Sequence, residues 1–472
     1  MDAPTLIAAY FTSAGRELAV GGIPVSRIAA EFGTPLFLYD HAILERKLSL
    51  LRDALPAEFE IFYSVKANPN QDILRSFLEL GCGLEIASAG EFEQARAAGC
   101  PPGKIVFAGP GKSEPELAHV LAADIGEIHA ESVLELRRIA AIAEVLQVRA
   151  RVAIRVNPTA EAEGGAMRMG GKPAPFGVDE ESLPEAMDTL LAAANLAFAG
   201  LHLFTGTQIL DSAVLLDQYK HGLKLARKVS SRVARPIQSL DFGGGLGIPY
   251  FAGDQPLDLS LVKAGLQELW REVRRDPAFQ GTRFLIEPGR FLVGEAGVYL
   301  MRVNDIKESR GKKYLICDGG MHHHLAASGN LGQTIKRNYP LANVSRLDSS
   351  PQEVVEVVGP LCTPLDVLGR SVKLPHTEVG DLIAVFQSGA YARAASPLGF
   401  LSHPSPAEVC VRDGRALLTR RRGDVRDYLS DQPAVLPANA VGWSRSPAIS
   451  PAAGADLNAG SLPARVAVES HD

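Results

Sequence analysis

Short apolar runs alternate with amphipathic stretches between Phe59 and Arg290. The runs read FEIFYSV, CGLEIAS, KIVFAGP, IGEIHA, RARVAIRV, LAFAGLHLF, SLDFGGG and RFLIEPG, a pattern typical of buried β-strands. Segments such as QDILRSFLEL and SAVLLDQYKHGLKLARKVSSRV lie between them and have the period of a helix. Strands that alternate with helices in this way predict an α/β fold, a (β/α)8 TIM barrel over residues 42–290, because such a barrel takes about 250 residues.

The pattern changes after Arg290, where the chain becomes strands joined by turns, as in KKYLICDGG and AEVCVRDGRALLTRR. This predicts a C-terminal β domain over residues 291–425. Residues 1–41 are expected to form an N-terminal segment partly packed on that β domain, although the run TPLFLYD fits a strand of either domain. Residues 426–472 are rich in Ala, Pro, Ser and Gly, which is typical of a disordered tail.

Composition narrows the class of protein. The chain has 472 residues, of which 46% are hydrophobic and 22% charged, as in a soluble enzyme of two domains. The N-terminus has no basic stretch before a sustained apolar run, so we expect a cytoplasmic protein without a membrane span. A net charge of −6 with one short basic run argues against nucleic acid as a partner. Five cysteines without CxxC spacing predict neither a disulfide framework nor a metal site.

Function in such a barrel lies at the carboxyl ends of the strands. Lys66 ends the first run, Gly243–Gly245 end the seventh, and Glu287 and Arg290 follow the eighth. Taken singly, these are a rim lysine, a tight turn and a surface ion pair. Together, an amine for a Schiff base, backbone N–H groups for a phosphate and an acid for a ring nitrogen predict a pyridoxal phosphate site.

Seven motifs support this prediction. YSVKAN, GLHLFTGTQ, DFGGGLGIPY, IEPGR, CDGGM, GPLCTPLD and SGAYA occur in this order between about residues 30 and 425. They resemble the motifs of the fold type III pyridoxal phosphate decarboxylases, the alanine-racemase-like family of diaminopimelate and ornithine decarboxylases. The resemblance implies decarboxylation of an L-amino acid through a Lys66 Schiff base with release of CO2. It also implies a homodimer with shared active sites.

The resemblance assigns roles by position. Lys66, Glu287 and Cys362 become the catalytic residues, with Glu287 on the pyridine nitrogen and Cys362 as the acid that protonates Cα. The implied cofactor contacts are Lys66, Arg155, His202, Phe204, Thr207, Gly243, Gly244, Gly245, Glu287, Gly289, Arg290 and Tyr391. The implied substrate contacts are Arg290, Cys362, Thr363, Tyr391 and His323. Cys362 and Tyr391 are expected to reach the site from the other subunit.

Two departures from the family pattern bear on the substrate and cofactor. Phe204 stands where the family has a histidine that stacks on the cofactor, and His202 lies two residues earlier, either at the ring or as a core histidine. Thr363 stands where the family has an acid for the distal ammonium, and GGMHHHLAASG replaces an Arg-Pro pair that binds a distal carboxylate. Losing a buried charge partner costs about 2–3 kcal/mol, so a free diamino acid is disfavoured.

The motifs TGTQ, MRMGGKPAPFG, GGMHHH and GPLCTPLDVLG resemble a subgroup that acts on amino acids tethered to carrier proteins. The glutamyl carrier-protein decarboxylases of butirosin biosynthesis and the exosortase-associated decarboxylases belong to it. This implies a glutamyl-[acyl-carrier protein]-like substrate, with Arg168 and Lys172 either near the phosphate of its phosphopantetheine arm or in a solvated loop.

Four other functions are alternatives to this one. They are a diaminopimelate decarboxylase that forms L-lysine, an amino-acid racemase, a non-catalytic pyridoxal phosphate-binding protein, and a barrel enzyme that uses Lys66 on a sugar aldehyde. Glu287 disfavours a racemase, because racemases of this type set an arginine against the ring nitrogen. Cys362 and the β domain disfavour the non-catalytic protein.

Overall fold

The computed structural model describes residues 1–159, 173–204 and 206–432, together with the backbone of residues 167–168. The chain begins with a small antiparallel sheet between two short helices. Its elements are α1 (Ala3–Tyr10), β1 (Thr12–Ala14), β2 (Glu17–Val20), β3 (Ile23–Pro24) and α2 (Val25–Phe32). The next strand, β4 (Leu36–Asp40), is buried along its whole length and leads into the barrel.

Eight parallel strands close into a barrel, and each lies within one of the eight apolar runs. In chain order the strands of this region are β5 (Phe59–Ser64), β6 (Gly83–Ile86), β7 (Ile105–Phe107), β8 (Glu127–Ala130), β9 (Ala150–Asn157), β10 (Met167–Arg168), β11 (Val178–Asp179), β12 (Leu196–Leu203), β13 (Gly206–Thr207), β14 (Ser239–Asp241) and β15 (Arg283–Ile286). The barrel order is β5-β6-β7-β8-β9-β12-β14-β15, and β15 pairs with β5 to close it. The predicted (β/α)8 barrel is therefore confirmed.

Amphipathic helices surround the barrel. They are α3 (His41–Ala54), α4 (Gln71–Glu79), α5 (Ala89–Ala97), α6 (Glu114–Ala122), α7 (Val133–Leu146), α8 (Leu183–Ala192), α9 (Ser212–Val233), α10 (Leu259–Val273) and the short α11 (Arg290–Val293). In α10, buried Val262, Leu266, Trp270 and Val273 recur at helical spacing and cover the barrel. The Asp258 side chain accepts from the first free N–H groups of this helix and fixes where it begins.

The remaining strands form the predicted β domain. They are β16 (Gly297–Ser309), β17 (Lys312–Cys317), β18 (Leu341–Asn343), β19 (Glu353–Val358), β20 (Val367–Leu374), β21 (Leu382–Val385), β22 (Ala407–Arg412) and β23 (Arg415–Arg420). β4 joins this sheet, antiparallel to β16 and parallel to β22. The run TPLFLYD thus belongs to the β domain, and the chain crosses from that domain into the barrel at α3.

Of the residues that follow Asp427, the structure describes 428–432. Most of the tail that the sequence predicts to be disordered therefore lies outside the described residues. Across the part of the chain that the structure describes, no helix has the length and apolar character needed to cross a membrane.

Candidate active site

A cavity of about 520 Å³ opens where the barrel strands end. Eleven of the predicted site residues line it, together with apolar side chains from both domains. The predicted ones are Lys66, Arg155, His202, Phe204, Thr207, Gly244, Gly245, Glu287 and Gly289, and Arg290 and Tyr391 complete the set. The sequence therefore located the cavity, since residues from strands far apart in the chain meet there.

Lys66 lies on a 3-10 turn, Val65–Ala67, directly after β5. Its side chain is 42% exposed, and the ammonium faces the open cavity. Nζ donates to both oxygens of Glu85, each at 2.8 Å. The backbone N–H of Tyr391 donates to the Ala67 carbonyl at 2.9 Å and holds the turn against the β domain.

Glu85 lies on β6, one residue before its end, and is fully buried. The Ser64 hydroxyl donates to it, so two groups orient the carboxylate toward Lys66. Burial disfavours the ammonium, yet the charge of Glu85, with contributions from Tyr391 and Glu287, raises the pKa of Lys66 above its usual value. The amine must lose this proton before it can attack a carbonyl, and Glu85 lies within hydrogen-bonding distance to accept it.

Glu287 follows β15 and is buried beneath the cavity. His202 Nε2 lies 3.2 Å from Glu287 Oε2. Among the described residues, Glu287 Oε1 and both ring nitrogens of His202 make no hydrogen bond. Burial opposes the charged form, but the neighbouring His202 and His129 side chains and Lys66 hold the pKa of Glu287 below its usual range. An ionised carboxylate with an unpartnered oxygen is left facing the cavity residues.

Arg290 begins α11, three residues after Glu287. Its Nη1 donates to the Tyr250 hydroxyl at 2.9 Å, and its guanidinium carbon lies 4.7 Å from the Tyr391 ring centroid. The buried Nε has no hydrogen-bond partner among the described residues. A cation with an unsatisfied donor in a cavity wall suits an anionic ligand.

The glycine run after β14 is arranged differently from the prediction. The Gly243 N–H donates to Asp241 Oδ1 at 2.7 Å, so the expectation that it binds phosphate is wrong; the aspartate caps this turn instead. Gly244 and Gly245 line the cavity, and Gly245 has φ +95°, a conformation that other residues rarely adopt. At Gly289 a Cβ would lie 2.8 Å from the Ala67 Cβ, so only glycine allows this loop to approach the Lys66 turn.

Arg155 lies near the end of β9 and its side chain is paired. Its Nη1 donates to Glu131 at 2.6 Å, and Phe176 and Phe204 lie 5.2 and 5.7 Å from its guanidinium carbon. Arg168, of which only the backbone is described, and Lys172 lie outside the described side chains. The backbone of β10 pairs with β13, which carries Thr207.

Three predicted residues are placed by the β domain. Tyr391 lines the cavity of its own chain, so the expectation that it comes from the other subunit is wrong; its backbone bond to the Lys66 turn fixes it there. His323 was expected to contact substrate, but its ring is buried between the Tyr299 hydroxyl at 2.9 Å and the Pro404 carbonyl at 3.1 Å. It stabilises the domain core. Cys362 is exposed on the loop after β19, away from the residues that line the cavity described here.

Thr363 follows Cys362 on the same loop and is half-buried. Asp366 holds this loop, because its carboxylate accepts from the backbone N–H groups of Leu361 at 2.9 Å and Met321 at 2.6 Å. The thiol is therefore presented outward on an ordered turn.

Comparison with known proteins identifies the family. Residues 41–294 match the family described as pyridoxal-dependent decarboxylase, pyridoxal binding domain. The chain is 39% identical to an L-glutamyl-[BtrI acyl-carrier protein] decarboxylase of Niallia circulans over 86% of this chain and 96% of that protein. The chain belongs to the pyridoxal-dependent decarboxylases.

Two further relatives agree with this membership. A diaminopimelate decarboxylase of Zymomonas mobilis is 32% identical over 90% of this chain and 99% of that protein. The crystal structure of the diaminopimelate decarboxylase from M. jannaschii, in complex with L-lysine, superposes with a TM-score of 0.82 at 26% identity, covering 90% of this chain and 98% of that one. The chain is thus an enzyme of this family over nearly its whole described length.

The cavity fits pyridoxal phosphate, the cofactor of these decarboxylases. The unpartnered Glu287 Oε1 can accept from a protonated ring nitrogen, and the unpartnered Arg290 Nε can donate to a phosphate. Lys66 supplies the amine, and Gly244, Gly245 and Gly289 leave room for the backbone to approach the ligand. The bound cofactor supplies an electron sink for the charge left when CO2 departs.

Sequence reasoning missed several residues of this site. Glu85, His129 and Asp241 stand inside apolar strand runs, where each resembles a solvent-facing position. Period-two alternation could have found Glu85, since it falls on the same face of its strand as buried Gly83. Tyr250 and Tyr339, whose ring centroids lie 4.8 Å apart, come from loops and carry no periodic signal.

Glu91, in the first turn of α5, makes the stability of the protein depend on pH. Burial, together with the charge of Glu85, raises the pKa of Glu91 to about 7. The native state therefore binds this proton more tightly than the unfolded chain, and stability falls as the pH rises from 4.5 through about 7. In the cofactor-free protein, Glu91→Gln should gain stability over wild type at about pH 8 but not at about pH 5, measured by urea unfolding.

The matched control is Glu93→Gln on the same helix. Glu93 is exposed and pairs with His119, so its change should shift stability by no more than about 0.5 kcal/mol at either pH. An equal effect of Glu91→Gln at both pH values would contradict the raised pKa.

Proposed function

We propose that this enzyme decarboxylates an amino acid whose distal end is neutral, such as a glutamyl group joined to a carrier protein through a thioester. Within the site, Lys66 forms the Schiff base, Glu287 pairs with the ring nitrogen, and Arg290 with Gly244 and Gly245 binds the phosphate. One observation supports a substrate with a neutral distal end: the charged side chains of the cavity wall are paired with groups of the protein.

The ionic groups in the described cavity wall have partners, apart from Glu287 Oε1 and Arg290 Nε, which the cofactor would use. Lys66 pairs with Glu85, Arg155 with Glu131, and Glu287 lies against His202. The rest of the wall is largely apolar, with contributions from Pro110, Phe176, Ala326, Leu331 and Ala395. Among the described cavity residues no carboxylate remains to receive a distal ammonium, which supports a substrate without one.

Similarity to the L-glutamyl-[BtrI acyl-carrier protein] decarboxylase supports the same substrate class. The second candidate is diaminopimelate decarboxylation, which the Zymomonas mobilis relative favours. The two candidates differ in the substrate that must enter the cavity. A free diamino acid carries a charge at its distal end, whereas a carrier-linked group carries a neutral thioester there.

A CO2-release assay separates these candidates. Purified enzyme with pyridoxal phosphate would receive glutamyl-carrier conjugate, free glutamate or free diaminopimelate. We expect kcat/KM for the conjugate to exceed that for either free amino acid by at least about 100-fold, because a paired-up apolar cavity rejects a second charge. Faster turnover of free diaminopimelate would refute the neutral-substrate proposal, and the same assay with Lys66→Ala gives the background.

We further propose a homodimer in which Cys362 and Thr363 of one subunit complete the site of the other. Cys362 is exposed on a loop held by Asp366, while the cavity of its own chain is lined by other residues. A thiol in this position is available to a second copy and could protonate Cα there.

Mixed dimers test this arrangement. Alone, Cys362→Ala should still release CO2 but yield carbonyl by-products, and Lys66→Ala should be inactive. Dimers that carry one of each variant keep one intact site, so a random mixture should regain about one quarter of wild-type amine formation. No recovery in co-purified mixed dimers, or clean amine from Cys362→Ala alone, would contradict the shared site.

A further inference from the structure

A charged layer fills the barrel interior beneath the cavity. TIM-barrel interiors are usually packed with branched apolar side chains. Here the layer consists of Glu127, His129, His202, Asp241 and Glu287, all buried. Buried charges persist only where other groups compensate them, so this layer requires an arrangement of its protons.

His129, on β8, lies in the middle of the layer. Its Nδ1 is 3.7 Å from Glu287 Oε1, and its Nε2 is 3.3 Å from Glu127 Oε1 and 4.0 Å from Asp241 Oδ2. Its ring centroid is 4.4 Å from that of His202. Both nitrogens therefore face carboxylates, although neither makes a hydrogen bond among the described residues, so an N–H on either side would point toward an acceptor.

We propose that His129 is a positioning residue that keeps Glu287 ionised and directed at the ring nitrogen of the cofactor. This inference rests on the role proposed above for Glu287. His129 does not line the described cavity, whereas His202 and Glu287 do, so it acts through them.

The other groups around Glu287 are engaged in different ways. Burial lowers the pKa of His202 to about 4, so its ring is neutral at physiological pH. Lys66 is already paired with Glu85, and Arg155 with Glu131. Burial, with the charges of Glu287 and Glu127, raises the pKa of Asp241 and favours its neutral form. His129 is the group that faces Glu287 Oε1 from below, with its Nδ1 3.7 Å from that oxygen.

Without His129, the proton shared between Glu287 and the ring nitrogen should move toward the carboxylate. The cofactor ring would then be less often protonated and a weaker electron sink. The groups that face this proton from the surrounding elements are Lys66, Glu85, Glu127, Arg155, His202, Asp241, Arg283, Glu287 and Tyr391. The single variant His129→Gln described below alters none of them.

The test is His129→Gln, which keeps a hydrogen-bond donor but cannot carry a charge. Holoenzyme is reconstituted with ¹⁵N-labelled pyridoxal phosphate, and the ring-nitrogen chemical shift is followed between about pH 6 and pH 9. In wild type the nitrogen should stay protonated over this range. In His129→Gln the protonated fraction should fall, and kcat should drop at least about tenfold with a smaller change in KM.

His324→Gln is the matched control. His324 is equally buried and bonded to the Ser388 hydroxyl at 3.0 Å, but it lies in the β domain, so the nitrogen signal should remain that of wild type. If His129→Gln fails to fold, the double variant Glu127→Gln/His129→Leu removes the buried acid together with the imidazole and should show the same shift.

Several outcomes overturn the proposal. A wild-type nitrogen signal in His129→Gln, or in the double variant, refutes it. So does a wild-type spectrum that changes with a chelator, since His129, His202 and Glu287 have ligand atoms within 4.8 Å of one another and would then hold a metal ion. A neutral ring nitrogen in wild type, or no cofactor binding, instead refutes the role proposed for Glu287.

Discussion

Lys66→Ala is expected to abolish decarboxylation, with kcat/KM reduced more than about 10⁴-fold. Loss of a general acid or base alone lowers the rate of an enzyme by about 10²–10⁴-fold. This substitution also removes the amine that anchors the cofactor in its position, so the effect should be larger. The absorption band of covalently held pyridoxal phosphate should disappear as well. Both effects are measured on the purified protein, by CO2 release and by absorbance after gel filtration.

Lys66→Arg is the control for charge and stability. It keeps a cation beside the buried Glu85 carboxylate, which alanine would leave unpaired. A guanidinium does not condense with an aldehyde, so this variant should unfold like wild type and still be inactive. Appreciable activity or a retained absorption band in either variant would contradict the assignment of Lys66.

Glu287→Gln is expected to lower kcat by about 10²–10³-fold while the cofactor remains bound. The amide keeps the size of the side chain but cannot hold a proton on the ring nitrogen, so the ring withdraws charge less well. Steady-state kinetics measures the loss of kcat, and the cofactor content of the purified variant shows separately whether pyridoxal phosphate is still bound. Because the effect falls on the reaction step, KM should change less than kcat.

The control for Glu287→Gln is Glu60→Gln. Glu60 lies on β5, is partly exposed and pairs with Arg283 at 2.7 Å, outside the cavity wall described above. Its loss should leave kcat unchanged, since surface ion pairs contribute little. Full activity in Glu287→Gln would show that the ring nitrogen has another partner.

The barrel could be predicted from sequence because each buried parallel strand is a short apolar run and each helix has its own period. The run TPLFLYD could not be assigned in this way, because its partners β16 and β22 lie about 260 and 370 residues farther along the chain. A strand buried on both faces carries no local signal of which sheet it joins.

For the site, the rule that function follows strand ends located Lys66, Glu287 and Arg290. It did not find Glu85 or His129, whose importance lies in what they face across the barrel. The Gly243 assignment failed because a side chain two residues earlier takes its N–H. The prediction that His323 contacts substrate failed because neighbouring Tyr299 and Pro404 contact both of its ring nitrogens. Sequence spacing does not indicate such contacts.

Trapping the cofactor tests the central claim most directly. The holoenzyme would be reduced with borohydride, digested and mapped by mass spectrometry, so that a Schiff base is converted into a stable pyridoxyl-lysine. The account predicts one pyridoxyl group per chain, on the peptide that contains Lys66. A label on another lysine, or no label under saturating pyridoxal phosphate, would contradict it.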